Sequence, residues 1–224
     1  MSENILIINC KNYVETTGDD LLLLADHVSN VSADLGVKIY LAPPTPYISL
    51  LSNLKNLLLL SQHSDAEDVG GTTGYNIIEI LKIAGCSGSL VNHSEHRISQ
   101  SIIDSVVTKL RKLNMLSVVC ARTPSEVNHL AKLNPDYIAI EPPELIGSGI
   151  AVSNAQPEII SESVQAAKRV NPNVQVICGA GIVKGNDVSE SIKLGASGIL
   201  VASGITKSDN KLDKLIELAK PLSN

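Results

Sequence analysis

Eight short apolar runs recur along the chain and constrain its fold more than any other feature. They are Ile5–Ile8, Val37–Leu41, Leu57–Leu60, Ser89–Val91, Leu116–Cys120, Tyr137–Ile140, Val174–Cys178 and Gly198–Val201. Their average spacing is roughly 28 residues, about the length of one strand, one helix and the turns between them. Most of the runs are apolar throughout and lack the polar alternation of a strand with one wet face. Parallel strands covered on both faces read this way.

The segments between the runs carry a helical period. Asp20–Leu35 puts Leu21, Leu24, Ala25, Val28, Val31 and Leu35 on one face. Ile98–Leu113 does the same with Ile98, Ile102, Val106, Leu110 and Leu113, and Lys109, Arg111 and Lys112 suit its C-terminal end. Ser125–Leu133, Pro157–Val170, Asp187–Leu194 and Asp209–Ala219 read as further helices, with Pro157 in a first turn. Pro46–Leu54 and Asn76–Ala84 are shorter candidates. No low-complexity linker or sustained charge run divides the 224 residues, so a single domain over 1–224 is expected. Strands and helices in this alternation predict an α/β chain folded as a (β/α)8 barrel with some short helices. A doubly wound open sheet competes, but its glycine fingerprint is missing: Asn9-Cys10-Lys11-Asn12 follows the first run.

Composition narrows the function. Aromatics make up 2% of the chain, with no Trp and no Phe, so the core must be aliphatic and a base-stacking surface for nucleic acid is disfavoured. A net charge of -5 removes the basic footprint of a nucleic-acid binder, although backbone amides can still bind phosphate. Cys10, Cys86, Cys120 and Cys178 form no CxxC pair, which argues against a zinc ribbon or a dithiol redox site. The start Met1-Ser2-Glu3-Asn4 is acidic, and the densest apolar runs, Leu21–Leu24 and Leu57–Leu60, are far shorter than a membrane span. The expectation is a reduced, cytoplasmic protein without membrane or nucleic-acid partners.

In a barrel the chemistry belongs at the C-terminal ends of the strands. Lys11, after the first run, would place an ammonium at the mouth, able to hold an anion or to form a Schiff base. Asn92-His93-Ser94-Glu95-His96-Arg97 follows the fourth run and reads as opening directly into a helix. A positive helix end would discourage His93 from taking a proton and leave it a hydrogen-bond donor. His93 and His96 lack an evident third ligand, so no metal is expected. Glu141 ends the sixth run, where a carboxylate loses part of its water and can serve as a base. The stretch after it, from Pro142-Pro143 to Gly147-Ser148-Gly149, starts stiff and finishes flexible, the make-up of a hinged lid. Gly179-Ala180-Gly181 and Ala202-Ser203-Gly204 follow the last two runs, and their small residues let backbone amides approach an anion.

Asn9-Cys10-Lys11, Asn92-His93-Ser94-Glu95, Glu141-Pro142 with Ile146-Gly147-Ser148-Gly149, Gly179-Ala180-Gly181 and Leu200-Val201-Ala202-Ser203 stand in one order and spacing. In this the chain resembles the triosephosphate isomerases over nearly its whole length, and its shortness and Pro142-Pro143-Glu144-Leu145-Ile146-Gly147 segment resemble their compact archaeal branch. It departs from the commoner pattern at Glu144-Leu145, where many relatives have Trp and Ala. Two further departures are Ala202-Ser203 in place of a glycine pair and Ala121-Arg122 where Gly and Glu are frequent.

The resemblance implies interconversion of dihydroxyacetone phosphate and D-glyceraldehyde 3-phosphate through an enediol(ate), in glycolysis and gluconeogenesis. It implies Glu141 as base, His93 as electrophile and Lys11 as the electrostatic group. Asn9, Cys10, Lys11, Ile146, Gly181, Ala202 and Ser203 would bind substrate. It also implies that no cofactor is needed, and a homo-oligomer, tetrameric by the archaeal likeness or else dimeric. Two other readings remain open at this point: a Lys-dependent aldolase sharing the phosphate turns, and a non-catalytic binding protein on the same scaffold.

Overall fold

The computed structural model describes residues 4–145, 149 and 151–223. Eight strands form one closed parallel barrel in chain order: β1 (Ile5–Asn9), β2 (Lys38–Ala42), β3 (Leu58–Ser61), β4 (Cys86–Val91), β5 (Leu116–Ala121), β6 (Tyr137–Ile140), β7 (Gln175–Cys178) and β8 (Gly198–Val201). The seam is closed by β8 against β1, with Ile5 beside Gly198 and Ile8 beside Val201. Every apolar run of the sequence is one of these strands. The fourth starts earlier than Ser89, because Cys86-Ser87-Gly88 carries no bulky apolar side chain to announce it.

The helices are α1 (Gly18–Leu35), α2 (Ile48–Leu51), α3 (Ile78–Ile83), α4 (Gln100–Lys112), α5 (Pro124–Ala131), α6 (Val152–Ala155), α7 (Pro157–Val170), α8 (Gly185–Lys193), α9 (Ser203–Thr206) and α10 (Lys211–Ala219). Local chemistry sets many of their ends. Ser99, Thr123 and Asn210 accept the backbone N–H three residues on, and Gly36 ends α1 at φ 64, where a side chain would be strained. Pro46–Leu54 resolves into a 3₁₀ turn, Thr45–Tyr47, followed by α2. The four-residue helices α6 and α9 are too short for a 3.6 period to appear in sequence.

Strand alternation divides the core into two layers. Ile5, Ile7, Leu60, Leu90, Val118, Ala139, Ile177 and Leu200 fill the barrel, while Leu6, Ile8, Ile39, Leu41, Val119, Ile138 and Ile199 pack outward against the helices. Two glycines permit this closure. A Cβ at Gly88 would lie 2.3 Å from the Leu116 carbonyl oxygen, and one at Gly198 would lie 2.2 Å from that of Ile5.

Candidate active site

The same period of two carries the inward face of the barrel up to its mouth. Two residues beyond inward Ile7, Ala139, Ile177 and Leu200 stand Asn9, Glu141, Gly179 and Ala202, and all four line one cavity with Lys11 and His93. Gly181 and Ser203 line it too. Cys10 does not. It falls on the outward parity, its thiol is buried in the helix-facing core, its N–H bonds Ala42 and its carbonyl accepts from Thr16. The substrate contact that the resemblance implied for Cys10 has no exposed group to make it. Ile146 lies outside the described residues.

Lys11 adopts a left-handed backbone, φ 49, uncommon for a residue with a side chain. Both of its peptide groups are held: its N–H donates to Asn9 Oδ1 at 2.9 Å, and its carbonyl accepts from Gln62 Nε2 at 2.8 Å. The ammonium is thereby aimed across the mouth, where it meets Glu95 Oε1 at 2.8 Å. Neither Gln62 nor Glu95 announces this role in the sequence, since each depends on a contact across the barrel.

His93 is reached through Asn92, whose φ of 63 breaks the strand and redirects the chain. Asn92 is fixed through its own side chain, which donates to the Cys120 carbonyl at 3.0 Å and accepts the Ile98 N–H at 3.2 Å. Arg97, paired with Glu126, donates to the Asn92 carbonyl at 3.3 Å. The helix expected to open at Ser94 begins only at Gln100, and residues 94–96 form a turn. A helix end therefore does not face His93. The Glu95 backbone N–H instead points at His93 Nδ1, 3.2 Å away. A backbone amide can only donate, so Nδ1 must accept and the ring proton must sit on Nε2. That Nε2 faces Glu141 Oε1 at 3.5 Å. The His96 N–H donates to the His93 carbonyl at 2.8 Å and closes the turn, while its ring stacks on His63 with centroids 4.0 Å apart.

Glu141 is 3% exposed, and its Oε2 has no hydrogen-bond partner among the described residues. An ionisable side chain in this state is costly to keep unless a ligand or a reaction uses it. Beneath it lies Cys120, whose thiol is pushed well above its ordinary range by burial and by the neighbouring Glu141 carboxylate. Room for the Glu141 side chain comes from Gly179, where a Cβ would stand 2.5 Å from Glu141 Cγ. Sequence reading assigns Gly179 to an anion-binding turn, but the packing makes it at least as much a neighbour of Glu141.

On the far side, Gly181 takes φ 73 and so requires glycine, and Gly204 packs against the Ile182 carbonyl oxygen, 2.6 Å from where its Cβ would be. The turns after β7 and β8 are thus pressed together along one wall of the cavity. Among the described residues, no group of His, Cys, Asp or Glu could hold a metal ion.

Acid–base groups on one side of a parallel barrel's open end, with close-approach turns on the other, define a barrel enzyme for a small anionic substrate. Comparison with known proteins makes this specific. The family model described as triosephosphate isomerase matches residues 4–219. The triosephosphate isomerase of Cenarchaeum symbiosum is 46% identical over 219 residues, covering 98% of both chains. That of Methanothermus fervidus is 44% identical over 97% of this chain and 98% of its own. A crystal structure of triosephosphate isomerase from Bartonella henselae shares the fold at a TM-score of 0.72 and 18% identity, covering 95% of this chain and 98% of its own. The chain belongs to the triosephosphate isomerase family.

Proposed function

We propose that Glu141, His93 and Lys11 carry out the reaction that gives this family its name, the interconversion of dihydroxyacetone phosphate and D-glyceraldehyde 3-phosphate. The observation that carries this reading is the placement of the buried Glu141 carboxylate opposite His93 Nε2 at 3.5 Å, with one carboxylate oxygen unpartnered among the described residues. Glu141 takes the proton from the carbon beside the carbonyl. The electron pair of that C–H bond forms the enediol(ate) double bond while the carbonyl oxygen gains negative charge. His93 donates its Nε2 hydrogen bond to that oxygen, and the Lys11 ammonium stabilises the same charge. The neighbouring hydroxyl passes its proton by way of His93 to the former carbonyl oxygen and so becomes the new carbonyl, and return of the proton from Glu141 to the carbon that carried the first carbonyl completes the isomerisation. The turns bearing Gly181, Ala202 and Ser203 receive the phosphate, and Asn9 orients Lys11 beneath the substrate. Every proton moved in this scheme comes from the substrate or these side chains, so the chemistry calls for no cofactor.

Glu141→Gln keeps the shape and removes the base. Turnover in a coupled assay should fall by about 10²–10⁴-fold while binding of a substrate analogue persists. A variant retaining more than a tenth of the normal rate would remove Glu141 from this role. Schiff-base chemistry at Lys11, the aldolase alternative, predicts a borohydride-trapped adduct that the isomerase reading does not.

We also read residues 1–224 as one catalytic domain acting in the cytoplasm as a homo-oligomer, a tetramer by resemblance. No helix among the described residues is long and apolar enough to cross a membrane. Support for assembly comes from α3 and the loop before it, where Ile83 is 85% exposed and Val69, Tyr75 and Ile80 are also solvent-facing. Light scattering on the purified protein tests this, and a monomeric mass would overturn it.

A further inference from the structure

The turn after β7 leaves the barrel at Gly179 and follows the cavity wall to Val183. A backbone turn grips an anion only as well as its own peptide groups are fixed. Here one carboxylate does the fixing from behind. Asp187, in the first turn of α8, is 6% exposed, and its Oδ2 accepts the N–H groups of Val183 at 3.0 Å and Lys184 at 2.8 Å. Those two bonds are enough to finish the turn and cap the helix. The second oxygen points elsewhere: Oδ1 accepts from Asn154 Nδ2 at 2.8 Å. Asn154 belongs to α6, a separate stretch of chain. That helix bonds the turn directly as well, through the Val152 N–H to the Ala180 carbonyl at 3.4 Å, and bonds α8 through the Ser153 hydroxyl to the Asp187 carbonyl at 3.3 Å.

We propose that Asp187 is a positioning residue for substrate phosphate, with Oδ2 setting the shape of the turn and Oδ1 locking that turn to α6 through Asn154. A helix cap alone needs one oxygen and gives no reason for the second bond. The tie between two segments does, because the turn can then neither slide along the cavity wall nor move independently of α6. The proposal rests on the reading that the turn bearing Gly181 receives the phosphate.

Two single variants and one exchange test it, each read by kcat, by KM for glyceraldehyde 3-phosphate, by competitive inhibition with inorganic phosphate and by melting temperature. Asp187→Asn can keep an oxygen at the cap but sets an amide nitrogen against that of Asn154. Asn154→Ala removes the partner at an exposed position, where the fold is not at stake. Each should raise KM and the phosphate inhibition constant about 3–10-fold, with a smaller change in kcat, as expected for a partly exposed hydrogen bond to a charged group. Asn154→Asp combined with Asp187→Asn reverses donor and acceptor and should bring both constants back to within about twofold of wild type. If both single variants hold KM and phosphate inhibition at wild-type values, or the exchange restores melting temperature without restoring them, Asp187 is a helix cap and no more. If inorganic phosphate does not compete in the wild-type enzyme, the phosphate site itself is misplaced, and both readings fall together.

Discussion

At the scale of single residues, the site is built less from unusual side chains than from ordinary ones held in uncommon places. Lys11 and Asn92 both stand at positive φ, and each strained backbone is secured by hydrogen bonds from other strands or loops. His93 takes its tautomer from one backbone N–H, that of Glu95. Glu141 takes its freedom from Gly179. This last dependence gives a sharp expectation. In Gly179→Ala the new methyl would sit 2.5 Å from Glu141 Cγ, so the carboxylate must move although no reacting group has been deleted. For the role proposed for Glu141, a displacement of about 1 Å costs on the order of 10²-fold in rate, and kcat should fall accordingly while the circular dichroism spectrum stays native. Wild-type turnover in Gly179→Ala would show that the base has slack the packing does not suggest. Motif reading singles out Lys11, His93 and Glu141 because groups at a barrel's mouth stand just past strand ends. It cannot find Gln62, Arg97 or Asp187, which are polar residues with no local pattern and acquire meaning only from partners 51, 5 and 33 positions away.

Among the elements, the barrel depends on strands approaching more closely than side chains allow at two places. Gly198 of β8 lies against the Ile5 backbone at the closing seam, and Gly88 of β4 lies against Leu116 of β5. Gly198 also stands at φ 145, so alanine there meets both a backbone it cannot displace and a conformation it resists. Gly198→Ala should therefore lower stability by about 1–3 kcal/mol or more, measured by denaturant unfolding, because overpacking against backbone cannot be relieved by a rotamer change. An unfolding midpoint equal to wild type would mean that the seam can open by a few tenths of an ångström without cost. The strands are legible in the sequence because burial on both faces leaves continuous apolar runs. The one badly underestimated start, Cys86 in place of Ser89, lies where small residues satisfy burial without looking apolar. Sequence pattern puts the helix after β4 too early because residues 94–97 are held by side chains of other elements, Arg97 with Glu126 above all, and not by a local helical period.

For the whole molecule, the aliphatic core has a consequence for its four thiols. All four are buried, and burial pushes Cys10 and Cys86 up to about 12 and Cys178 up to about 11, with Cys120 well above its ordinary value. A thiol that resists ionisation in the native state but ionises near pH 9 when unfolded favours unfolding as pH rises. The contribution is fully present below about pH 9 and is lost toward pH 11–12, so the melting temperature should decline through the alkaline range. At pH 8 the native protein should react with an aromatic disulfide far more slowly than the protein in guanidinium, which exposes all four thiols. Rapid native labelling of any one of them would show that the core opens locally at that strand. Sequence by itself determined the α/β barrel, the aliphatic core and the positions of Lys11, His93 and Glu141. Spacing and apolar continuity are properties of the chain that survive any detail of packing. Tertiary structure alone decided that Cys10 faces away from the cavity, that His93 owes its ring proton's position to Glu95, that Gly179 makes room for Glu141 and that Asp187 joins two distant segments. The physical reason is common to all four: each is a matter of which atoms meet across the barrel, and a strand's period fixes a direction without fixing a neighbour.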